Sequence, residues 1–266
     1  MSILDATGVS MKFGGLMALS SVDLEVPEGA IRGLIGPNGS GKTTFFNVIT
    51  GVYKPTAGKV TCKNIDITGI APYKITRSGI ARTFQNIRLF QEMSVLDNIK
   101  IGKHCRTRAG LLGALLRNKR VIKEERKVEE EVLKIAEMLN LTDVLDEFPK
   151  NLSYGVQRLV EIGRALASSP SLILLDEPCA GMNPREIEIL TEHIQEIHRQ
   201  GYTILLVEHH MKMVMKVCDH IFVLNFGKKI VEGHPEEILK NPLVIEAYLG
   251  KGAGLKQAEQ GVSGRC

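Results

Sequence analysis

Eight residues, Gly36 to Thr43, read GPNGSGKT and satisfy the spacing G-x-x-x-x-G-K-[ST] in full. That pattern holds phosphate. Glycines at Gly36, Gly39 and Gly41 let backbone N–H groups close around a β-phosphate, because no Cβ blocks the approach. Lys42 reaches the β- and γ-phosphates, and the Thr43 hydroxyl ligates Mg²⁺. Pro37, Asn38, Ser40 and Thr44 complete the cofactor-binding loop and its run into a helix. A second stretch, LILLDEP, supplies an acid at the end of an apolar run. Asp176 is placed to hold the Mg²⁺, and Glu177 beside it can polarise water as a general base. A third, LLVEHH, ends another apolar run with His209 and His210, either of which can contact a γ-phosphate. A fourth, LSYGVQRLVEIGRAL from Leu152 to Leu166, sets a Ser-Tyr-Gly turn before an amphipathic helix. Unpaired N–H groups and a positive dipole end make that turn a second phosphate-grade helix start.

These residues need a frame. PEGAIRGLIGPNG reads as a strand entering a glycine turn, and KTTFFNVITG as a helix closed by Gly51. Ahead of them, ILDATGVSMKF and ALSSVDLEV read as short strands, and GKVTCKNIDI returns to a strand. GIARTF, just before Gln85, also reads as a strand. From about Asn86 to about Ser168 the pattern turns helical. SVLDNIKIGKHC opens on a serine cap, and Val121, Val128, Val132, Ile135 and Leu139 recur at helical spacing. Strand and helix then alternate: SLILLDEP, PREIEILTEHIQEIHRQG with Gly201 as its cap, YTILLVEHH, MKMVMKVC, and a hairpin in HIFVLNFGKKIVEG turning at Asn225 to Gly227. Alternation of this kind predicts a parallel α/β core. The expected architecture is one domain over 1–250: a P-loop core, an N-terminal antiparallel β subdomain, and a helical subdomain inserted at about 86–168. The polar, glycine-rich tail 251–266 reads as disordered.

The chain has 266 residues, 44% hydrophobic and 24% charged, enough to bury a large core. A net charge of +4 is too small to argue for nucleic acid. Six Lys or Arg and no acid fall between Arg106 and Lys123, a solvated basic face or a patch for anionic lipid headgroups. Five cysteines form no C-x-x-C pair, so neither a disulfide framework nor a zinc site is expected, and a reducing cytosol is. The N-terminus does not read as a signal peptide, and no apolar run approaches the ~20 residues of a membrane helix.

In order along the chain, GPNGSGKT, Gln85, LSYGVQ, LILLDE and His209 resemble the ATP-binding subunits of ABC transporters, over about residues 3 to 250. MKFGGLMAL, RTFQNIRLFQEMSVLDNI, DEPCAGMNP and IEAYLG narrow the resemblance to the subunits of branched-chain amino-acid importers. The resemblance implies an ATPase using ATP and Mg²⁺. It implies that Phe13 stacks on adenine, that Gln85 senses Mg²⁺ and the attacking water, and that His209 clasps the γ-phosphate. Ser153 and Gly155 then bind the γ-phosphate of a nucleotide held by a second ATP-binding subunit, identical or paralogous, in a head-to-tail dimer. That accounts for two phosphate-grade helix starts in one chain. The implied partners are membrane permease subunits and, indirectly, an extracytoplasmic solute-binding protein. The implied location is the cytoplasmic face of the cell membrane. Three positions depart from the common pattern: Val156 in place of the signature's Gln, Asn183 where Asp is frequent, and His210 where Asp often follows the histidine. The alternatives are the ATPase of a lipid or lipopolysaccharide transport system, or an ABC ATPase not coupled to transport. The intact Lys42, Asp176, Glu177 set argues against a non-catalytic nucleotide module.

Overall fold

The computed structural model describes residues 1–105 and 119–249. Most of the basic stretch and all of the tail 251–266 lie outside the described residues. The chain forms two compact units, one of residues 1–70 with those from Ile204 onward, the other of Ala71–Thr203.

In the first unit, β1 (Ser2–Phe13) pairs antiparallel with β2 (Leu16–Pro27) and with β4 (Ala57–Cys62), and β5 (Ile65–Asp66) folds back on β4, in the order β2-β1-β4-β5. Alternation sets the face. Val22, Leu24 and Val26 are buried while Ser21, Asp23 and Glu25, alternating with them, are exposed. GKVTCKNIDI is therefore two strands rather than one. Lys63 and Asn64 both take positive φ, 49° and 64°, the geometry of a two-residue hairpin turn, in which Asn is favoured.

The same unit carries β3 (Ile31–Ile35), parallel to β8 (Thr203–Val207) and to β9 (His220–Asn225), with β10 (Lys228–Gly233) antiparallel to β9. β8 is buried along its whole length, as a continuous apolar run requires. α1 (Lys42–Ile49) follows β3 and sinks Phe45, Phe46 and Ile49 completely. These three side chains fix the helix, and with it the loop that precedes it.

The second unit pairs β6 (Ile80–Arg82) in parallel with β7 (Leu172–Asp176), preceded by α2 (Pro72–Arg77). Among its described residues it also carries α3 (Val95–Ile101), α4 (Lys119–Met138), α5 (Tyr154–Ala167) and α6 (Pro184–Arg199). Ser94 caps α3 as its sequence predicts, accepting the Asp97 N–H at 3.1 Å. The helical pattern begins at Val95 rather than at Asn86. Buried Asn98 is the reason: its amide donates to the carbonyls of Phe90, Met93 and Ser94, and its Oδ1 accepts from the Phe90 N–H at 2.9 Å. Those bonds hold 90–94 as a loop. Val132 and Ile135 in α4, and Leu139 just past its end, are buried at the predicted spacing. The residue capping α6 is Gln200, with Gly201 one place beyond at φ 89°. Among the described residues no helix is long and apolar enough to cross a membrane.

Candidate functional site

Residues 36–41 link β3 to α1. Gly36 has φ 152°, and a side chain there would collide with the Leu224 carbonyl and come within 2.6 Å of Ser40 Oγ. The loop is stitched to the β9–β10 turn: the Gly227 N–H donates to the Ser40 carbonyl at 2.9 Å, and the Ser20 N–H donates to the Gly227 carbonyl at 2.8 Å. Lys42 is buried, with Nζ donating to the carbonyls of Gly36 at 2.7 Å and Pro37 at 3.1 Å. Its ammonium is thereby fixed at the loop. Thr43 is exposed and Thr44 half-buried. Two observations fit the loop to a phosphate chain. No side chain caps the N-terminus of α1, whose N-cap is Gly41 at φ 108°. The Ser40 hydroxyl is buried and finds no hydrogen-bond partner among the described residues, a polar atom that a phosphate oxygen would satisfy.

In the same unit, Phe13 ends β1. Its ring is 41% exposed and stands edge-on to Tyr53, with centroids 5.2 Å apart. His209 and His210 follow β8 and differ in setting. His209 presents a side chain 56% exposed, whereas His210 Nδ1 is buried with no hydrogen-bond partner among the described residues. Both backbone N–H groups donate to Oε2 of the fully buried Glu208, at 2.8 and 2.9 Å. Glu208 thus sets the turn that aims His209 outward. Burial pushes the Tyr248 phenol above its ordinary range, and a hydrogen bond with the Gly36 backbone partly offsets this. Residue 248 in α7 (Pro242–Leu249) therefore reaches the phosphate loop.

In the second unit, β7 is buried throughout and ends at Asp176. Its buried carboxylate is held by the largely buried Arg82, whose Nη2 lies 2.7 Å from Asp176 Oδ2. Glu177 follows with φ 44°, a left-handed conformation uncommon outside glycine. Strain of this kind concentrates at functional positions. Gln85 Nε2 donates to Glu177 Oε2 at 3.1 Å, so the fold joins the two polar side chains expected to handle water, 92 positions apart.

The signature turn lies in the same unit. Ser153 caps α5, accepting the Val156 N–H at 3.4 Å, and the Gly155 N–H donates to Glu186 Oε1 at 3.4 Å. Val156 therefore costs the helix start nothing in backbone pairing. Asn183 caps α6 through bonds of 3.0 Å from the N–H groups of Arg185 and Glu186, with the Glu186 side chain returning the contact. Asn does here what Asp would do. Arg82, Arg158 and Glu208 are absent from the sequence reading. The available signal was charge inside apolar runs: GIAR, LVE after Arg158, and LLVE.

Residues 19–180 match the family model described as ABC transporter, more than half the chain, and 228–254 match that of the branched-chain amino acid ATP-binding cassette transporter. The chain is 42% identical over 250 residues to BraF, the high-affinity branched-chain amino acid transport ATP-binding protein of Pseudomonas aeruginosa, covering 94% of this chain and 98% of that protein. It is 41% identical over 250 residues to LivG of Escherichia coli, which carries the same description, with the same coverage. Among solved structures, the ADP conformation of an ATP-binding cassette of an ABC transporter superposes with a TM-score of 0.83 at 39% identity, covering 94% of this chain and all of that one. The chain belongs to the ABC transporter family of ATPases, among the ATP-binding subunits typified by BraF and LivG.

Proposed function

We propose that the chain drives branched-chain amino-acid uptake through permease subunits at the cytoplasmic face of the membrane, and that Glu177 is its catalytic base. The observation that carries the chemistry is Glu177 itself. It is a non-glycine residue in left-handed conformation at the end of a buried strand, beside Asp176, with Oε2 held by Gln85. The names of BraF and LivG support the solute class.

The phosphate loop binds the β- and γ-phosphates of ATP through Lys42 and its backbone amides, and Phe13 stacks on the adenine. Mg²⁺ bound with the nucleotide would be held by Thr43, Asp176 and Gln85, and supplies charge neutralisation at the phosphates. Glu177 takes a proton from water as its oxygen attacks the γ-phosphorus. The bond between that phosphorus and the β–γ bridging oxygen breaks, and ADP leaves with the electron pair. Gln85 orients the Glu177 carboxylate, and His209 contacts the γ-phosphate. Ser153 and Gly155 serve a nucleotide held by a second ATP-binding subunit.

Affinity capture of the chain from native membranes, with its companions identified, tests the transport assignment. The expected set is permease subunits, at least one further ATP-binding chain and, more weakly, a solute-binding protein. Lipid-export or lipopolysaccharide components in their place would refute the solute class. Recovery with no membrane subunit would refute transport coupling.

A further inference from the structure

We propose that Arg158 is a positioning residue for ATP hydrolysis: it fixes the backbone at Gln85 from within the signature helix, so that the Gln85 amide meets Glu177. This rests on the reading of Gln85 and Glu177 given above. Among the described residues Arg158 is the largest fully buried side chain, at 0% exposure, one turn into α5. Its Nη1 donates to the Phe84 carbonyl at 2.6 Å and to Glu161 Oε2 at 2.7 Å. Its Nη2 donates to the Gln85 carbonyl at 2.6 Å and lies 3.3 Å from the Tyr154 hydroxyl. Among the described residues its Nε is buried with no hydrogen-bond partner. The fork is thus directed at two successive carbonyls of the segment that carries Gln85, a geometry only a guanidinium can span.

The other contacts say what this fork connects. Tyr154 is the first residue of α5, directly after the signature Ser153. Its ring faces Gly181, where an added side chain would meet it at 3.5 Å. Gly181 lies four residues after Glu177 in the same loop. Glu161 receives the Phe84 N–H at 3.4 Å on its other oxygen, so the same pair of side chains holds both edges of residue 84. Burial pushes the Glu161 carboxyl above its ordinary range against the lowering pull of Arg158. A signature turn displaced by nucleotide on its outer side therefore moves Tyr154 and Arg158, and with them the carbonyl of Gln85.

The test is a double-mutant cycle on the full chain in its native complex, using Arg158→Lys, Gln85→Ala and both together, with Glu177→Gln alongside. Lysine keeps the charge and loses the fork. Arg158→Lys is expected to lower kcat by ~10- to 100-fold with ATP affinity within about twofold and full binding stoichiometry. In the Gln85→Ala background it is expected to change kcat by less than about threefold, because the group it positions is gone. A merely structural arginine would instead lower stoichiometry or give losses that multiply fully, and either result overturns the proposal, as does an unchanged kcat. If Gln85→Ala and Glu177→Gln leave turnover intact, the catalytic reading itself fails, a result distinct from failure of Arg158→Lys alone. Should Arg158→Lys not fold, Arg158→Met with Glu161→Met replaces the buried ion pair by apolar side chains and enters the same cycle with the same expected results.

Discussion

Lys42→Ala is expected to weaken ATP binding by roughly 10²- to 10⁴-fold, since a hydrogen bond to a charged group contributes about 1.5–3 kcal/mol and Lys42, in the role proposed for it, would supply two such contacts to the phosphates. The loop itself holds the ammonium in place, on the carbonyls of Gly36 and Pro37. Binding therefore reorganises little, and most of the lost interaction appears as lost affinity. The change removes a charge from a buried position without opening the apolar core around Phe45, Phe46 and Ile49. The variant is expected to stay folded, with a melting temperature close to the parent's. Titration with a fluorescent ATP analogue measures the affinity. Binding unchanged by the substitution would refute the assignment of Gly36–Thr43 as the phosphate site.

Glu177→Gln is expected to separate binding from turnover. General-base catalysis contributes ~10²- to 10⁴-fold, and the amide cannot take the proton. Gln has the same shape, so the left-handed backbone at residue 177 and the contact with Gln85 can persist with the amide oxygen facing Gln85 Nε2. ATP affinity should match the parent's, and a nucleotide-bound dimer should accumulate on gel filtration, because hydrolysis no longer dissolves it. Near-normal hydrolysis would move the base elsewhere, with the exposed His209 next in line.

Much of this site was legible because its parts are written locally. Gly36–Thr43 is a contiguous pattern whose chemistry follows from spacing alone, and Asp176–Glu177 ends an apolar run long enough only for a buried strand. Helix starts were equally plain where a side chain caps them, as at Ser94 and Ser153. What stayed hidden are contacts between distant positions. Arg82 meets Asp176 across 94 positions, and Arg158 meets the Gln85 carbonyl across 73. No local period reports such pairs, since each is set by the pairing of β6 with β7 and by how α5 lies on them. The loop at 90–94 was missed for a related reason: one buried side chain, Asn98, supplies the hydrogen bonds that a helix would otherwise have made. The turn at Lys63–Asn64 carries an asparagine but no glycine, so the hairpin it makes gave a weaker signal than the asparagine–glycine pair common at such turns.

The central claim is that hydrolysis at Glu177 powers uptake of branched-chain amino acids. The captured complex, reconstituted into proteoliposomes with its solute-binding protein inside and ATP supplied outside at the ATPase face, measures it directly. With the parent chain, labelled leucine loaded inside is expected to move to the ATP side, and valine and isoleucine to compete for it. With Glu177→Gln, ATP should still bind while sustained transport ceases. Leucine movement equal in the two complexes, or movement that does not require ATP, would contradict the account.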